Sequence, residues 1–541
     1  MATVARSLGI AGVVLGMVTA GWISGARAAS PEDVEQRLKA LEGEIQSLKR
    51  QLEEAKKAVP PPVAAPAPAA PATPAPAATP AVASPPAPTT PGTESPVATS
   101  LASIRPSWLT DFKLGGYGSV RFEASDLPTV NDSFTFRRFV LTGDATIAER
   151  IRTYFELEFE RLTELEVERS TVAEGGFQGF SQSIEGSNHS EISLEQAWVE
   201  LYMTDWLKFR MGNILVPVGR FNINHDDNRW DLPRRSLVDR GVPVLPSTAA
   251  WSEVGLGFNG DIKTDRAGNF GYQVYVMNGV TLDSSIETFA RGSGEFETEV
   301  ELEPRRGTAD LDLKGGKAGA LRVSWSPNLG QEFGVSGYFG RYTPDFLPSQ
   351  NLWSVSADGK LTFGPFEVEA QYVRTHFNNI NQVARGFAQS VTANEISSET
   401  SPLESTVEFE LASLADTKHG YWLELRYRFF PDFLRNTFFA WKFENPQFVA
   451  VTRWEQAWLN GLISSAEFSD GLLTLEKDNR FVDRLTLGLA YRPVPLVVFQ
   501  AAYERTWTNA GKSLSGVTNF IPAGSTDNVQ NAFLFGVAFG F

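Results

Sequence analysis

Segments in which apolar and polar side chains alternate recur from residue 108 to the last residue of the chain. One of them is "IRTYFELEFER" (151–161), where Phe155 and Phe159 alternate with glutamates. A period of two residues is typical of a β-strand. The polar face is unusually charged and the apolar face carries aromatic residues near the strand ends, which is typical of a barrel with lipid outside and water inside. The pattern predicts an all-β, transmembrane antiparallel β-barrel over residues 106–541.

The number and spacing of these segments also fit a barrel. The predicted strands begin near residues 112, 134, 151, 192, 207, 250, 270, 318, 331, 352, 366, 419, 446, 483, 495 and 530. This gives about 16 strands, an even number as in single-chain bacterial barrels. Short turns, as at 148–150, alternate with long excursions, as at 164–191, 217–249 and 457–482, and this is the arrangement of periplasmic turns and external loops. The segment 431–445 takes the place of a short turn and is predicted to be a strand extension or a small plug.

Three segments precede the barrel. Residues 1–28 have the features of a signal peptide, including the cleavage pattern Ala26-Arg27-Ala28, with a membrane anchor as the alternative. Residues 29–57 carry heptads that predict a short α-helical coiled coil, with a lone surface helix as the alternative. Residues 58–105 form a Pro/Ala-rich segment that is predicted to be an extended linker. The coiled-coil positions expected to carry oligomerisation are Leu38, Leu41, Ile45, Leu48 and Leu52.

Composition excludes several classes of function. The formal net charge is −16, so a basic surface for nucleic acid is not expected. The chain has no cysteine, which excludes disulfides, zinc–thiolate sites and a thiol nucleophile. His189, His225, His376 and His419 show no zinc-ligand spacing. The segment "NHDDN" (224–228) is interpreted as a capped turn, with a metal site as the alternative. We therefore expect no enzyme activity, no catalytic residue, no metal and no cofactor.

The alternation predicts which charged side chains line the lumen, because a barrel of this size leaves an aqueous channel. Basic and acidic residues are roughly balanced on this face, so the alternative is a neutralised network of salt bridges. The predicted basic residues of the wall include Arg121, Arg138, Arg152, Lys208, Arg210, Arg426 and Arg428. The predicted acidic residues include Asp144, Glu156, Glu158, Glu200, Glu367, Glu369, Glu424 and Glu504.

The third long connection, residues 217–250, is stiffened by prolines and is apolar enough to pack. We expect it to fold into the barrel and narrow the lumen. Clustered guanidinium groups at a constriction favour anions, because they bind phosphate or carboxylate oxygens. The alternative is that they pair with aspartates of the same loop and only brace it. The candidate anion-binding residues are Arg220, Arg229, Arg234, Arg235 and Arg240, and the aspartates are Asp226, Asp227, Asp231 and Asp239.

The barrel resembles the phosphate-selective porins O and P and their relatives in three stretches. These are "FTFRRFVLTGDATIAERIRTYFELEFE" (134–160), "LKFRMGNILVPVGRFN" (207–222) and the terminal "FLFGVAFGF". The resemblance implies a sixteen-stranded trimeric barrel whose third loop folds into the lumen, with pore arginines and lysines that pass anions. An N-terminal coiled coil also occurs in some related porins and fits a trimer.

We therefore expect an outer-membrane porin for passive diffusion of small hydrophilic solutes, preferably anions such as phosphate or small carboxylates. The expected location is the outer membrane of a Gram-negative bacterium, with the coiled coil in the periplasm. The expected partners are lipid, lipopolysaccharide and the barrel-assembly machinery, for which Phe541 is the candidate signal. The alternative is a barrel that serves as a structural anchor or adhesin. The acidic segment 295–303 is predicted to be a solvated hairpin or, alternatively, a divalent-cation site.

Overall fold

The structure is a computed structural model. It describes residues 109–128, 131–161, 165–174, 177–186, 191–241, 244–247, 250–291, 295–307, 314–387, 406–410, 414–469, 472–509, 512 and 527–541. The predicted signal peptide, coiled coil and linker lie outside these residues. Among the described residues, no helix has the length and apolar character needed to cross a membrane.

The described residues fold mainly into β-strands. In chain order these are β1 (Leu109–Ser125), β2 (Ser133–Ile147), β3 (Ile151–Glu160), β4 (Leu165–Glu174), β5 (Phe177–Gly186), β6 (Glu191–Thr204), β7 (Leu207–Leu215), β8 (Ser252–Thr264), β9 (Gly268–Met277), β10 (Thr281–Arg291), β11 (Glu295–Arg305), β12 (Ala318–Ser326), β13 (Gln331–Arg341), β14 (Asn351–Phe363), β15 (Phe366–Phe377), β16 (Thr406–Glu410), β17 (Ala415–Phe429), β18 (Gln447–Ser469), β19 (Leu472–Val494), β20 (Val497–Thr508) and β21 (Val529–Gly540).

Sixteen of these strands close into one antiparallel barrel, which confirms the predicted architecture. The other five lie in the long connections. Strands β4 and β5 form a hairpin, and β10, β11 and β16 form a three-stranded sheet. The acidic segment 295–303 is part of β11, which pairs along its length with β10.

Alternation along the strands separates an apolar outer face from a polar lumenal face. On β13, Val335 and Phe339 are 65% and 57% exposed, whereas Ser336 and Tyr338 are buried. On β3, Phe155 is exposed, whereas Glu156 is 1% exposed. A continuous exposed apolar surface of this kind is typical of a face that contacts hydrocarbon.

The barrel closes between its first and last strands. Strand β21 pairs with β1 from Tyr117↔Gly540 to Ser125↔Ala532. The outer face of β21 carries exposed Phe533 and Phe535, whereas the lumenal Leu534 and Ala538 are buried. This pairing removes the free edge that a sheet cannot leave unpaired in lipid.

Short and long connections occupy opposite ends of the barrel, as predicted, with two differences. The predicted long loop 457–482 is instead a continuation of β18 and β19, which pair as far as Ser469↔Leu472. The predicted plug or strand extension at 431–445 is also wrong. This segment begins with a short 3-10 helix, Asp432–Leu434, and Phe439 then packs on Phe448 and Tyr491 of the outer face.

Deleting Phe541 is expected to lower the yield of folded barrel severalfold while leaving the conductance of the assembled fraction unchanged. The amide of Phe541 donates to the carbonyl of Gly116 at 3.0 Å, its carbonyl accepts from Gly116 at 3.2 Å, and its ring stacks on Phe139 at 5.7 Å. Loss of these contacts weakens the closing seam. The heat-modifiable gel shift measures the folded yield. The matched control is Phe433→Ala at an exposed phenylalanine outside the strands, and an equal loss there would refute the expectation.

Candidate functional site

The connection from β7 to β8, residues 216–251, is called the constriction loop here, and its described residues (216–241, 244–247 and 250–251) lie inside the barrel. It contains a one-turn helix, Arg220–Ile223, whose first two amides, those of Arg220 and Phe221, donate to Oε1 of Gln371 on β15 at 2.5 and 3.1 Å. At its other side, the carbonyl of Pro233 accepts from Nη1 of Arg121 on β1 at 3.1 Å. The loop therefore contacts strands on different sides of the lumen.

Aromatic packing holds the loop against the wall. The rings of Phe221 and Trp230 stack with centroids 3.7 Å apart, and Trp422 of β17 meets Phe221 edge-on at 5.0 Å. Arg453 of β18 lies 5.0 Å from the Phe221 ring centroid and donates from Nη1 to the carbonyl of Arg234 at 2.9 Å. Stacking and cation–π contacts of this kind favour one fixed position of the loop.

Three of the predicted loop arginines are buried and paired with carboxylates. Arg220 bonds to Glu369 and lies 3.1 Å from Glu332. Arg234 bonds to Glu504 at 2.7 Å and to Glu123 at 3.0 Å. Arg235 donates to the carbonyl of His225 at 2.5 Å and lies 3.5 Å from Asp227. Most of these carboxylates belong to the wall, so the loop arginines pair mainly with barrel strands and not with the aspartates of their own loop.

The other two loop arginines differ from this group. Arg229 is the more exposed member, with 57% of its side chain accessible, and it pairs with Asp226 at 2.7 Å. The backbone of Arg240 belongs to the π-helix Leu237–Gly241, and its side chain lies outside the described part of the molecule.

The predicted basic residues of the wall face the lumen and also have acidic partners. Their nitrogen–oxygen contacts are Arg121 with Glu123, Arg138 with Glu158 (2.8 Å), Arg152 with Asp144 (2.7 Å), Lys208 with Asp261 (3.1 Å), Arg210 with Glu200 (2.6 Å), Arg426 with Glu367, Glu369 and Glu424, and Arg428 with Asp231 (3.6 Å). The wall is therefore a neutralised network of charge pairs, as the alternative interpretation of the sequence stated.

Two loop aspartates are kept ionised by arginines of the wall and of the loop itself. Burial alone would raise the pKa of Asp227, but Arg138 and Arg235 hold it well below its usual value. Burial opposes ionisation of Asp231 in the same way, and Arg492 and Arg426 lower its pKa. Because a lowered carboxyl pKa stabilises the fold above the unfolded pKa, this contribution is present at neutral pH and is lost only as strong acid protonates the folded state.

Sequence reasoning missed several buried charges of the site. Arg453 and Glu455 on β18 are 0% exposed, and Glu455 pairs with Arg484 at 2.7 Å. Their strand also places Val449 and Val451 on the lumenal face, so its alternation of polar and apolar residues is weak. Glu195 on β6 was missed because a β-bulge shifts the face on which it lies.

One cluster in the described residues has donor atoms suited to a metal ion. Glu156 and Glu195 of the wall meet His225 of the constriction loop in a buried group. Burial lowers the pKa of His225, but the adjacent Glu195 and Glu156 raise it well above its usual value. The sequence offered only the "NHDDN" segment around His225, and its spacing does not reveal Glu156 and Glu195, because the three residues come from separate elements.

The fold and the site together define a sixteen-stranded barrel with a charged lumen and an inward constriction loop. No family model matches the chain. An uncharacterized protein of Aquifex aeolicus is 24% identical over 193 residues, which cover 36% of this chain and 36% of that protein.

Solved structures similar to this chain include outer-membrane proteins. OmpF of Salmonella typhi in complex with daunomycin is 10% identical, with a TM-score of 0.43, and covers 80% of this chain and 97% of its own. An anion-selective porin from Comamonas acidovorans is 10% identical, with a TM-score of 0.41 and coverage of 80% and 99%. The trimer form of OmpT of Vibrio cholerae is 9% identical, with a TM-score of 0.40 and the same coverage.

Proposed function

We propose that this chain is an outer-membrane porin that forms a water-filled channel for passive diffusion of small hydrophilic solutes. The observation that carries the proposal is the closed barrel with an apolar outer face, a charged inner face and a loop folded into its lumen. A barrel of 16 strands is wide enough for an aqueous channel. The constriction loop would then set the size limit of the permeating solute.

Partly exposed charges on the lumenal face support a wet interior. The side chains of Arg152, Glu332 and Lys360 are 35%, 40% and 31% exposed. Charged groups that are open to a cavity require water, because an apolar filling would impose a large desolvation cost. These residues lie toward the end of the barrel that carries the short turns, where they would line a hydrated vestibule.

The preference for anions that the loop arginines predict is part of this proposal, and we expect it to be weak. Arg220, Arg234 and Arg235 are engaged by carboxylates, so their field at a passing ion is largely cancelled. Phosphate and small carboxylates remain the proposed solutes. The proposed partners are outer-membrane lipid, lipopolysaccharide and the barrel-assembly machinery, with a homotrimer joined in part by the predicted coiled coil.

Conductance in planar lipid bilayers tests the channel against the alternative of a structural anchor or adhesin. An open porin gives stepwise current increases as molecules insert, and a trimer gives steps in groups of three. An anchor with a sealed lumen gives no current although the folded protein inserts. If protein that gel mobility shows to be folded gives no conductance steps, the proposal of a channel is rejected.

Changing Arg234 and Arg235 together to alanine is expected to shift the reversal potential toward cation selectivity. The change removes two positive charges and leaves Glu504, Glu123 and Asp227 without these partners, so the constriction becomes more negative. The measurement is the reversal potential across a KCl gradient. The matched control is Arg435→Ala, whose side chain is 69% exposed near the 3-10 turn outside the lumen. If the double variant and the control have equal reversal potentials, Arg234 and Arg235 do not contribute to ion selectivity.

A further inference from the structure

His225 of the constriction loop meets two glutamates of the barrel wall in a buried cluster. Its Nε2 atom lies 3.2 Å from Oε2 of Glu195 on β6 and 3.5 Å from Oε1 of Glu156 on β3. The donor atoms of the three side chains lie within 4.8 Å of one another. One imidazole nitrogen and two carboxylates form a donor set suited to Zn²⁺ and other divalent transition-metal ions.

Hydrogen bonds around His225 direct Nε2 toward the two glutamates, and Nε2 lies 3.2 Å from Oε2 of Glu195. A metal ion bound there would take the place of the proton on Nε2. Nδ1 lies 3.0 Å from the carbonyl oxygen of Asn222, which can only accept, so Nδ1 carries the hydrogen. Asn222 is fixed in turn, because its side chain donates to the carbonyl of Val216 at 2.8 Å and accepts from the amide of Trp251 at 2.7 Å. Histidines that bind metals are oriented in this way through their other ring nitrogen.

The carboxylate of Glu156 is oriented by neighbouring donors. Its Oε2 accepts from Nε2 of Gln196 at 2.7 Å and from the hydroxyl of Tyr154 at 3.3 Å. The Gln196 amide is itself oriented, since its Oε1 accepts from the indole of Trp198 at 3.3 Å. Oε1 of Glu156 therefore points toward His225, and within the described residues it receives no hydrogen bond.

A β-bulge in β6 places the side chain of Glu195 beside His225. Glu156 pairs with Gln196 and Leu157 pairs with Leu194, so Glu195 is the extra residue of β6. Asn213 on β7 stabilises the bulge by donating to the carbonyls of Leu194 and Glu195 at 2.7 and 3.2 Å. Without a bulge, residues 195 and 196 would lie on opposite faces of the sheet. The irregularity thus brings two adjacent polar side chains into the lumen.

Unsatisfied acceptors and the local charge also favour a bound cation. Oε1 of Glu195 has no hydrogen-bond donor in the described part of the chain, and Glu195 is 0% exposed. Two further carboxylates add negative charge here: Glu158 interacts electrostatically with Glu195, and Asp226 lies 3.9 Å from Nε2 of His225. Arg138 pairs with Glu158 at 2.8 Å. One divalent ion that replaces the proton of His225 would balance the charges of the two buried carboxylates.

We propose that Glu156, Glu195 and His225 bind one divalent transition-metal ion, with Zn²⁺ the best match to the donors. Asp226 or a water molecule would complete the coordination. Because the ligands come from β3, β6 and the constriction loop, the ion fixes the loop to the wall. The proposal does not rest on the proposed channel function, since metal binding is measured on folded protein without any current.

Isothermal titration calorimetry of the metal-free, detergent-folded full chain with ZnCl₂ tests the proposal. We expect one site per chain in the wild type and an affinity lower by at least about tenfold in His225→Gln and Glu195→Gln. The matched control is His419→Gln, because His419 stacks on Trp458 and lies outside the cluster. Gel mobility confirms that each variant is folded. Equal Zn²⁺ affinity in wild type and His225→Gln would overturn the assignment.

A second measurement uses only the wild type and so does not depend on the folding of a variant. Co²⁺ in place of Zn²⁺ is expected to give visible ligand-field absorption that saturates at one ion per chain and disappears when Zn²⁺ is added. If the folded wild type shows no such absorption and no stoichiometric Zn²⁺ binding, the cluster is only an ion pair between a protonated His225 and its glutamates. That result would reject the metal site.

Discussion

Replacing Arg453 by methionine is expected to destabilise the folded barrel by about 3–5 kcal/mol. The same change is expected to make the open-channel current larger and noisier. Arg453 is fully buried and bonds to Glu424 through Nε at 2.6 Å and Nη2 at 2.5 Å. Methionine keeps most of the apolar volume but leaves Glu424 with Arg426 as its one ion-pair partner among the described residues. Breaking a buried pair from one side is costly, because the remaining charge stays desolvated.

The change in conductance has a separate cause. Arg453 also donates to the carbonyl of Arg234 at 2.9 Å and lies over the rings of Phe221, Trp230 and Trp422. These contacts tie the constriction loop to β18, so their loss would let the loop move within the lumen. Single-channel recordings would show a larger and noisier open current, and urea denaturation of the folded protein gives the stability.

The double variant Arg453→Met/Glu424→Gln distinguishes the two effects. Removing the second charge is expected to restore much of the stability, because no uncompensated carboxylate remains at that position. The hydrogen bond from residue 453 to the Arg234 carbonyl is still absent in the double variant, so the change in conductance should persist. If the free energy of unfolding of Arg453→Met lies within about 0.5 kcal/mol of the wild-type value, as for ordinary surface substitutions, Arg453 does not hold the constriction loop against β18.

The barrel could be predicted well because its signal is local. Strands β3, β7, β12, β13 and β15 begin at the predicted residues, since alternation of side chains is visible within a single strand. The extension of β18 and β19 beyond the predicted region was missed because it lacks this alternation. Polar residues such as Glu476, Lys477 and Asp478 follow one another there, so no apolar face marks the strand.

The site was predicted less completely because its properties depend on contacts between distant residues. The sequence shows that Arg220, Arg234 and Arg235 share one loop, but it does not show that wall carboxylates face them. Partners such as Glu369 and Glu504 lie far along the chain, and only barrel closure brings them to the loop. The cluster at His225 depends in addition on a one-residue bulge, which reverses the expected face of a side chain.

Introducing arginine at Val335 is expected to destabilise the barrel by about 2–4 kcal/mol when it is folded in lipid vesicles. Val335 lies in the middle of β13, between partners Val323 and Ala357, and is 65% exposed on the outer face. If that face contacts hydrocarbon, the guanidinium group must leave water or deform the bilayer to reach it. If the face contacts water, the same substitution costs almost nothing.

The matched control is Leu329→Arg in the turn between β12 and β13, where the native leucine is 103% exposed. Both positions carry an exposed aliphatic residue, so they differ mainly in the solvent that each is expected to meet. The free energy of unfolding, measured with urea in vesicles, should be within about 0.5 kcal/mol of the wild-type value for Leu329→Arg and well below it for Val335→Arg. Equal stabilities would mean that the apolar outer face is not covered by lipid, and the proposal of a membrane channel would fail with it.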